Sequence, residues 1–162
     1  GQGIFTLSQD EFFTTGFPKR ELDNYPTIEI SLASQSPAFD VHIDSCITTD
    51  HKRIPQKTEC YFPQEYRLVP GEKVLNMFWI QDYSTYPQSN VQGILRFVYS
   101  DIFGNSYYQD VSFTYDEQLI DSDNMLKFER VLSPVLISKS VPTLMDRVLE
   151  EYPHIKANTD GN

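Results

Sequence analysis

Residues 91–116 hold two runs of alternating apolar and polar residues on either side of the tetrapeptide Asp-Ile-Phe-Gly at 101–104. Aspartate at the first position and glycine at the fourth favour a type I turn. Gly104 can adopt the left-handed conformation at low cost, as a three-residue hairpin loop with a bulge requires. The segment therefore predicts an antiparallel β-hairpin in which Asp101 pairs with Asn105.

This register divides the side chains of the hairpin between two faces. One face is mostly apolar, and its predicted cross-strand pairs are Tyr99 with Tyr107, Phe97 with Gln109, Leu95 with Val111 and Gly93 with Phe113. On the other face Arg96 falls opposite Asp110, and opposite charges directly across two strands attract each other. We expect this pair on the outer face, where an exposed ion pair contributes about 0.2–1 kcal/mol.

Further segments predict that the rest of the core is also β-structure. Residues 28–32 and 39–44 alternate between apolar and polar side chains, which is typical of strands with one buried face. Residues 72–81 are apolar on both sides, which favours a central strand. Because the linker between the first two segments is short, we expect those two strands to be antiparallel neighbours.

Residues 141–152 change to helical spacing, with Ser140 as the predicted N-cap and Pro153 as the stop. A helix this short is marginal in water alone, so its apolar stripe needs a partner. We expect it to pack on the protein's own sheet; a second copy or another protein is the alternative.

The 162 residues are expected to form one domain, 1–162, with its core over about 27–132. The predicted fold class is mainly β: an antiparallel β-sandwich or barrel with one C-terminal α-helix.

The charge of the chain excludes two classes of partner. Its formal net charge is −10, which argues against nucleic-acid binding along the phosphate backbone. It also argues against attachment to an anionic membrane through a basic patch.

No apolar run approaches the roughly 20 residues of a membrane helix. Since residue 1 is glycine rather than methionine, we expect that a signal or membrane segment precedes it.

The chain contains two cysteines, Cys46 and Cys60, which lie symmetrically about residue 53. If residues 43–63 form a hairpin, the two face each other across it, and a disulfide is possible in an oxidising compartment. Two separate buried thiols are the alternative. No motif of a cysteine nucleophile surrounds either residue.

No known catalytic motif is present: the sequence lacks a nucleophile elbow, a phosphate loop and a dinucleotide-binding glycine motif. His42 shares a predicted strand face with Asp40 and Asp44; we interpret this as a solvated face, with a metal site as the alternative. Residues 121–124 resemble the start of a calcium loop but lack its glycine and closing glutamate, which indicates an acidic loop. We therefore predict a protein that is not an enzyme, with no metal and no cofactor.

Aromatic and cationic side chains outline one candidate ligand site. Tyr61, Trp79, Tyr107 and Tyr108 are predicted to line an aromatic cleft, and Arg67 is placed to supply a cation. Core packing is the alternative, and it is favoured for Trp79 and Tyr107. A pocket for an anionic small molecule needs several cations to converge on it. The candidates for that role are Arg67, Arg96 and Lys73.

Three segments resemble a known family: SPAFDVHI at 36–43, LVPGE at 68–72 and FVYSDIFGNSY at 97–107. Their order and spacing are similar to the soluble β-sandwich, Ig-like domain of uncharacterised bacterial membrane-anchored proteins with a short N-terminal transmembrane region. The resemblance covers about 27–116. The chain departs from it in having Ala-Ser-Gln at 33–35 in place of an asparagine- and glycine-rich turn, and in its C-terminal helix.

The resemblance implies a non-enzymatic, soluble ligand- or protein-binding domain of a membrane-tethered bacterial protein, with the side of the membrane left open. Its partner is an unknown protein or small ligand, and a homo-oligomer is compatible with the sequence. The architecture also resembles, more loosely, β-barrel effector domains of bacterial anti-phage systems, which implies a small-molecule sensor of cyclic-nucleotide type as one alternative. A secreted carbohydrate-binding or adhesive module is another, motivated by the aromatic content.

Overall fold

The computed structural model describes residues 5–6, 27–32, 35–49, 54–81, 91–116, 126–138 and 140–151. These residues form twelve strands and one helix: β1 (Phe5–Thr6), β2 (Thr27–Leu32), β3 (Ala38–Thr49), β4 (Pro55–Lys57), β5 (Glu59–Tyr61), β6 (Glu65–Leu68), β7 (Lys73–Met77), β8 (Trp79–Gln81), β9 (Val91–Ser100), β10 (Ser106–Tyr115), β11 (Leu126–Val131), β12 (Val135–Leu136) and α1 (Leu144–Glu151). The predicted mainly β fold with one C-terminal helix is confirmed.

The described strands form three antiparallel sheets. The largest has seven strands in the order β11-β10-β9-β3-β4, with β12 also paired to β10 and β6 to β3. The smaller sheets are β1-β2-β7 and β5-β8. The large sheet is not closed into a barrel. Of the two predicted architectures, sandwich and barrel, the open, layered one is therefore observed.

One predicted strand pairing is wrong. The segments 28–32 and 39–44 lie in β2 and β3, and these strands belong to different sheets. The edges of β3 are already occupied, by β9 on one side and by β4 and β6 on the other. β2 pairs instead with β7, with Ile30 opposite Val74.

The hairpin of β9 and β10 has the predicted register throughout. Tyr99 lies opposite Tyr107 and Arg96 opposite Asp110, within an unbroken ladder of ten residue pairs. The backbone N–H of Asp101 donates to the carbonyl oxygen of Asn105 at 2.9 Å. Gly104 has a φ of 83°, so the left-handed turn conformation is confirmed as well.

The main core lies on the apolar face of this hairpin. Its buried side chains come from β9 and β10 and from elements that cover them, among them Ile30 of β2 and Phe128 of β11. Gly93 matters here because a methyl group at this position would lie 2.5 Å from the ring of Phe113. Tyr107 is buried in the same core, as predicted. Residues of the small β1-β2-β7 sheet thus pack against the large sheet in a sandwich-like arrangement.

Helix α1 covers the opposite face of the hairpin. Leu144 and Val148 pack against Ile47 of β3 and Ile94 of β9, so the expectation that the helix packs on its own sheet is confirmed.

The predicted N-cap at Ser140 is wrong, because Thr143 holds that position. The Asp146 N–H donates to Thr143 Oγ1 at 3.1 Å, and the Thr143 N–H donates to Asp146 Oδ2 at 3.2 Å. These reciprocal bonds have the pattern of a capping box, which starts the helix at Leu144 rather than 141.

We predict that replacing Gly104 by valine lowers the free energy of unfolding by about 1–3 kcal/mol, because a β-branched residue is strained at positive φ. Apart from residues 103 and 105, no atom lies within 4 Å of the position of an added Cβ, so the loss reports backbone conformation rather than a clash. Gly104→Asn is the control, because asparagine tolerates the left-handed region, and it should retain most of the stability. Denaturant unfolding measures both; equal midpoints for the two variants would contradict the strain argument.

Candidate functional site

The four predicted ligand-binding residues do not converge on one site. The β5–β8 ladder places the backbones of Tyr61 and Trp79 opposite each other, and Tyr61 is 43% exposed. Arg67 lies exposed on β6, whereas Tyr108 is buried on β10. Since β3 and β9 separate β6 from β10 in the large sheet, the structure brings the first two residues together and leaves the other two apart.

Tyr108 is buried against an arginine of its own chain. The Arg96 guanidinium lies 4.1 Å from the centre of the Tyr108 ring. Its Nε and Nη2 donate to the Asp110 carboxylate at 2.7 and 2.9 Å, and its Nη1 donates to the carbonyl oxygen of Pro142 at 2.8 Å. Every nitrogen of this guanidinium is therefore engaged inside the protein, which argues against a role in binding an anionic ligand.

The expectation that Arg96 and Asp110 form an exposed pair is wrong. Arg96 is 6% and Asp110 1% exposed, because the helix and the segment leading into it cover this face. Burial alone lowers the pKa of Arg96, but the hydrogen bonds and negative charge of Asp110 outweigh it and raise that pKa overall. Arg147 of α1 adds a second cation, with its Nε 3.5 Å from Asp110 Oδ2. The ion pair thus ties the helix to the sheet.

The predicted polar face of β3 is interrupted by two bulges. The register with β9 shifts between Phe39 and His42 and again between Ile43 and Ser45, and Asp40 has a positive φ of 53°. His42 Nδ1 donates to the carbonyl oxygen of Asp40 at 2.7 Å. Within the described residues, no group of three or more histidine, cysteine, aspartate or glutamate side chains is placed to hold a metal ion. The acidic segment 121–124 lies outside those residues.

The two cysteines lie close together, but they do not face each other across one hairpin as predicted. Cys46 lies opposite Thr58, whose N–H donates to the Cys46 carbonyl oxygen at 2.9 Å, while Cys60 pairs with Ile80 in the β5–β8 sheet. Both are free thiols, Cys46 buried and Cys60 half-buried. A hydrogen bond to Cys60, together with burial, raises the pKa of Cys46 well above its ordinary value.

An exposed apolar surface lies at one end of the large sheet, where the turn at 101–105 joins β9 to β10. Ile102 is 63% and Phe103 74% exposed. Strand β12 runs beside this turn, with the Ile137 N–H donating to the Ser106 carbonyl oxygen at 2.8 Å. We name this surface the apolar tip; its members, all exposed, are Ile102, Phe103, Val135, Leu136 and Ile137.

A network around Asp101 fixes the turn that carries Ile102 and Phe103. The Asp101 carboxylate accepts hydrogen bonds from the N–H groups of Phe103 and Asn105, both at 2.9 Å, from the Asn105 side-chain amide at 3.2 Å and from the Tyr107 hydroxyl at 3.1 Å. Burial alone would raise the pKa of Asp101, but the hydrogen bonds from Asn105, Tyr107 and Phe103 outweigh it and lower that pKa. The turn is therefore held by the charged form of this side chain.

The sequence pattern predicted this turn but not the exposed apolar surface that the turn carries. The available signal was the Ile-Phe pair at the two central positions of the turn, where glycine, asparagine, aspartate and serine usually occur. A second signal was the Val-Leu-Ile run at 135–137, which lies between Pro134 and Ser138. That these two segments lie side by side depends on β12 pairing with β10, which the local pattern does not reveal.

No family model, curated protein or solved structure matches this chain significantly. The resemblance to Ig-like domains of membrane-anchored proteins therefore stays a prediction. In the part of the chain that the structure describes, no helix has the length and hydropathy needed to cross a bilayer.

We predict that Arg96→Met lowers the free energy of unfolding by about 3–5 kcal/mol, because it leaves the buried Asp110 carboxylate without its main partner. The double variant Arg96→Met with Asp110→Leu should lose less, since it removes both charges. Arg67→Met, which removes an exposed arginine, is the matched control and should change stability by no more than about 0.5 kcal/mol. Denaturant unfolding measures all three; a cost for Arg96→Met as small as that of the control would contradict the buried pair.

Proposed function

We propose that this protein is a non-enzymatic protein-binding domain that docks a partner through the apolar tip. The observation that carries the proposal is the strong exposure of Ile102 and Phe103 on a turn held by the Asp101 carboxylate. The sequence resemblance supports a setting in a membrane-tethered bacterial protein, with this domain outside the bilayer.

The composition of the turn supports binding rather than folding. Side chains that remain as exposed as Ile102 and Phe103 contribute little burial to the stability of the domain, and an apolar patch that faces water is a common mark of an interaction surface. Aromatic residues are enriched among the side chains that dominate protein interfaces. The hydrogen bonds to Asp101 order the turn before binding, which lowers the entropic cost of association.

The charge of the chain indicates the chemistry of the partner. With a net charge of −10, the protein attracts a basic surface over distances comparable to the Debye length, about 8 Å at physiological salt. We therefore propose a protein partner whose surface has an apolar pocket surrounded by lysine and arginine. Its association rate should fall as ionic strength rises.

The two alternatives have weaker support from the geometry. A sensor of an anionic small molecule needs converging cations, but Arg96 is fully engaged with Asp110 and Pro142, and Arg67 lies across the sheet from it. Among the described residues, the exposed rings that favour a carbohydrate-binding module are those of Tyr61 on β5 and Tyr66 on β6, and these strands belong to different sheets. The apolar tip brings five exposed apolar side chains to one end of the large sheet.

The test compares the wild-type chain with the double variant Ile102→Ser, Phe103→Ser. A partner captured from a bacterial lysate is identified, purified and titrated by calorimetry against each protein. We predict that the double variant binds at least about 100-fold more weakly, as expected for the loss of two central interface side chains. Its thermal midpoint should stay near that of the wild type, because both residues are exposed.

Ile54→Ser is the matched control, because Ile54 is 47% exposed and lies near the opposite end of the large sheet. It should bind the purified partner with unchanged affinity. If the double variant and the wild type bind that partner equally well, the apolar tip is not the docking surface. If a sugar or a nucleotide binds the wild-type chain and no protein does, one of the alternatives replaces the proposal.

A further inference from the structure

The two thiols of the chain lie in the wall of one open cleft between two sheets. The cleft has a volume of about 330 Å³. Cys46 comes from β3 of the seven-stranded sheet and Cys60 from β5 of the β5–β8 sheet. The other residues that line it are Ile43, Asp44, Ser45, Thr58, Glu59 and Tyr61. Cys46 belongs to the main core, and Cys60 packs against that core.

Backbone pairing fixes the positions of the two cysteines along their strands. The Thr58 N–H bonds to the carbonyl oxygen of Cys46, and the hydroxyls of Thr48 and Thr58 share a hydrogen bond of 2.6 Å. Beyond Thr58 the chain leaves the large sheet and pairs with β8, so that Cys60 lies opposite Ile80. Cys60 therefore reaches back to Cys46 from a different sheet, in a contact fixed on both sides by backbone pairing.

We propose that Cys46 and Cys60 are the site of a reversible disulfide that covalently joins the seven-stranded sheet to the β5–β8 sheet. The oxidant that this site takes is a small disulfide such as oxidised glutathione, which enters through the cleft. The inference is independent of the function proposed for the apolar tip.

The unequal burial of the thiols sets the order of the two exchange steps. The thiolate of Cys60, the more accessible sulfur, attacks one sulfur of oxidised glutathione, so that a mixed disulfide forms and one glutathione thiolate leaves. The thiolate of Cys46 then attacks the Cys60 sulfur, the mixed disulfide breaks, and the second glutathione thiolate leaves. The two protons lost by the cysteines end on the two glutathione thiols. The protein dithiol is oxidised by two electrons, and one oxidised glutathione is reduced to two thiols.

Cys46 is the less reactive of the two thiols in the first exchange step. It is 3% exposed, and the hydrogen bond to Cys60 together with burial raises its pKa, so that little of it is thiolate near neutral pH. Its contact with Cys60 nevertheless suits it to the second step, because the target sulfur is held beside it. Cys60 is thus the entry point for the oxidant and Cys46 the resolving residue.

The test uses the full chain, reduced and then equilibrated with oxidised glutathione. Intact mass and non-reducing peptide mapping should show a product lighter by two hydrogen atoms, with the Cys46 and Cys60 peptides linked. Cys46→Ser should stop at a stable mixed disulfide on Cys60. Cys60→Ser should react at least about 10-fold more slowly than Cys46→Ser, because its remaining thiol is buried.

The thermal midpoint of the wild-type chain gives a second readout that does not depend on the folding of any variant. Because the bond restricts the unfolded chain, we expect the oxidised form to unfold about 5–10 °C above the reduced form. A wild-type chain that stays reduced or stops at a mixed disulfide would overturn the proposal. So would a disulfide between two chains, or an oxidised form that unfolds at or below the temperature of the reduced form.

Discussion

The backbone ladder between β9 and β10, closed by the Asp101 turn, is the constraint on which the other elements depend. Its ten pairs fix which side chains face the core and which face helix α1. On one side, aromatic and aliphatic residues pack against β2 and β11. On the other, Ile94 receives the helix, and Arg96 meets Asp110 beneath it. A slip of one residue would exchange these two sets, so the turn chemistry of Asp101 and Gly104 determines the arrangement of both layers.

The helix and the ion pair depend on each other. An arginine and an aspartate on a sheet face are ordinarily solvated, but here Pro142 supplies a carbonyl acceptor to Arg96 and Arg147 brings a second cation close to Asp110. The apolar contacts of Leu144 and Val148 provide the burial that holds the helix in place. The charged contacts define its position, because a buried carboxylate without its partner is costly. The apolar tip at the turn end of the hairpin therefore lies on a sheet that is packed on both faces.

The features that could be predicted from the sequence are those set by residues close together along the chain. The hairpin register followed from Asp101, Gly104 and the alternation on either side, and the helix followed from its apolar period. Apart from the N-cap of the helix, which is Thr143 rather than Ser140, the errors concern partners distant in sequence. β2 pairs with β7 because the edges of β3 are taken. Arg96 is buried because α1 returns to cover it. Cys60 meets Cys46 from another sheet rather than across one hairpin. The apolar tip was missed for the same reason, since β12 reaches the turn only by pairing with β10.

The central claim is that the Asp101 carboxylate holds the tip of the hairpin rigid in the free protein, and amide hydrogen exchange tests it most directly. The N–H groups of Phe103 and Asn105 lie in an exposed turn, yet both donate to Asp101 Oδ1. Because the hydrogen bonds lower the pKa of Asp101 in the folded chain, its contribution is complete above the unfolded pKa of about 3.9 and is lost as pH falls through the folded pKa. The account predicts that both amides exchange far more slowly than an unstructured peptide near pH 6, and that this protection falls in acid. Exchange of both amides at the rate of an unstructured peptide near pH 6 would contradict it.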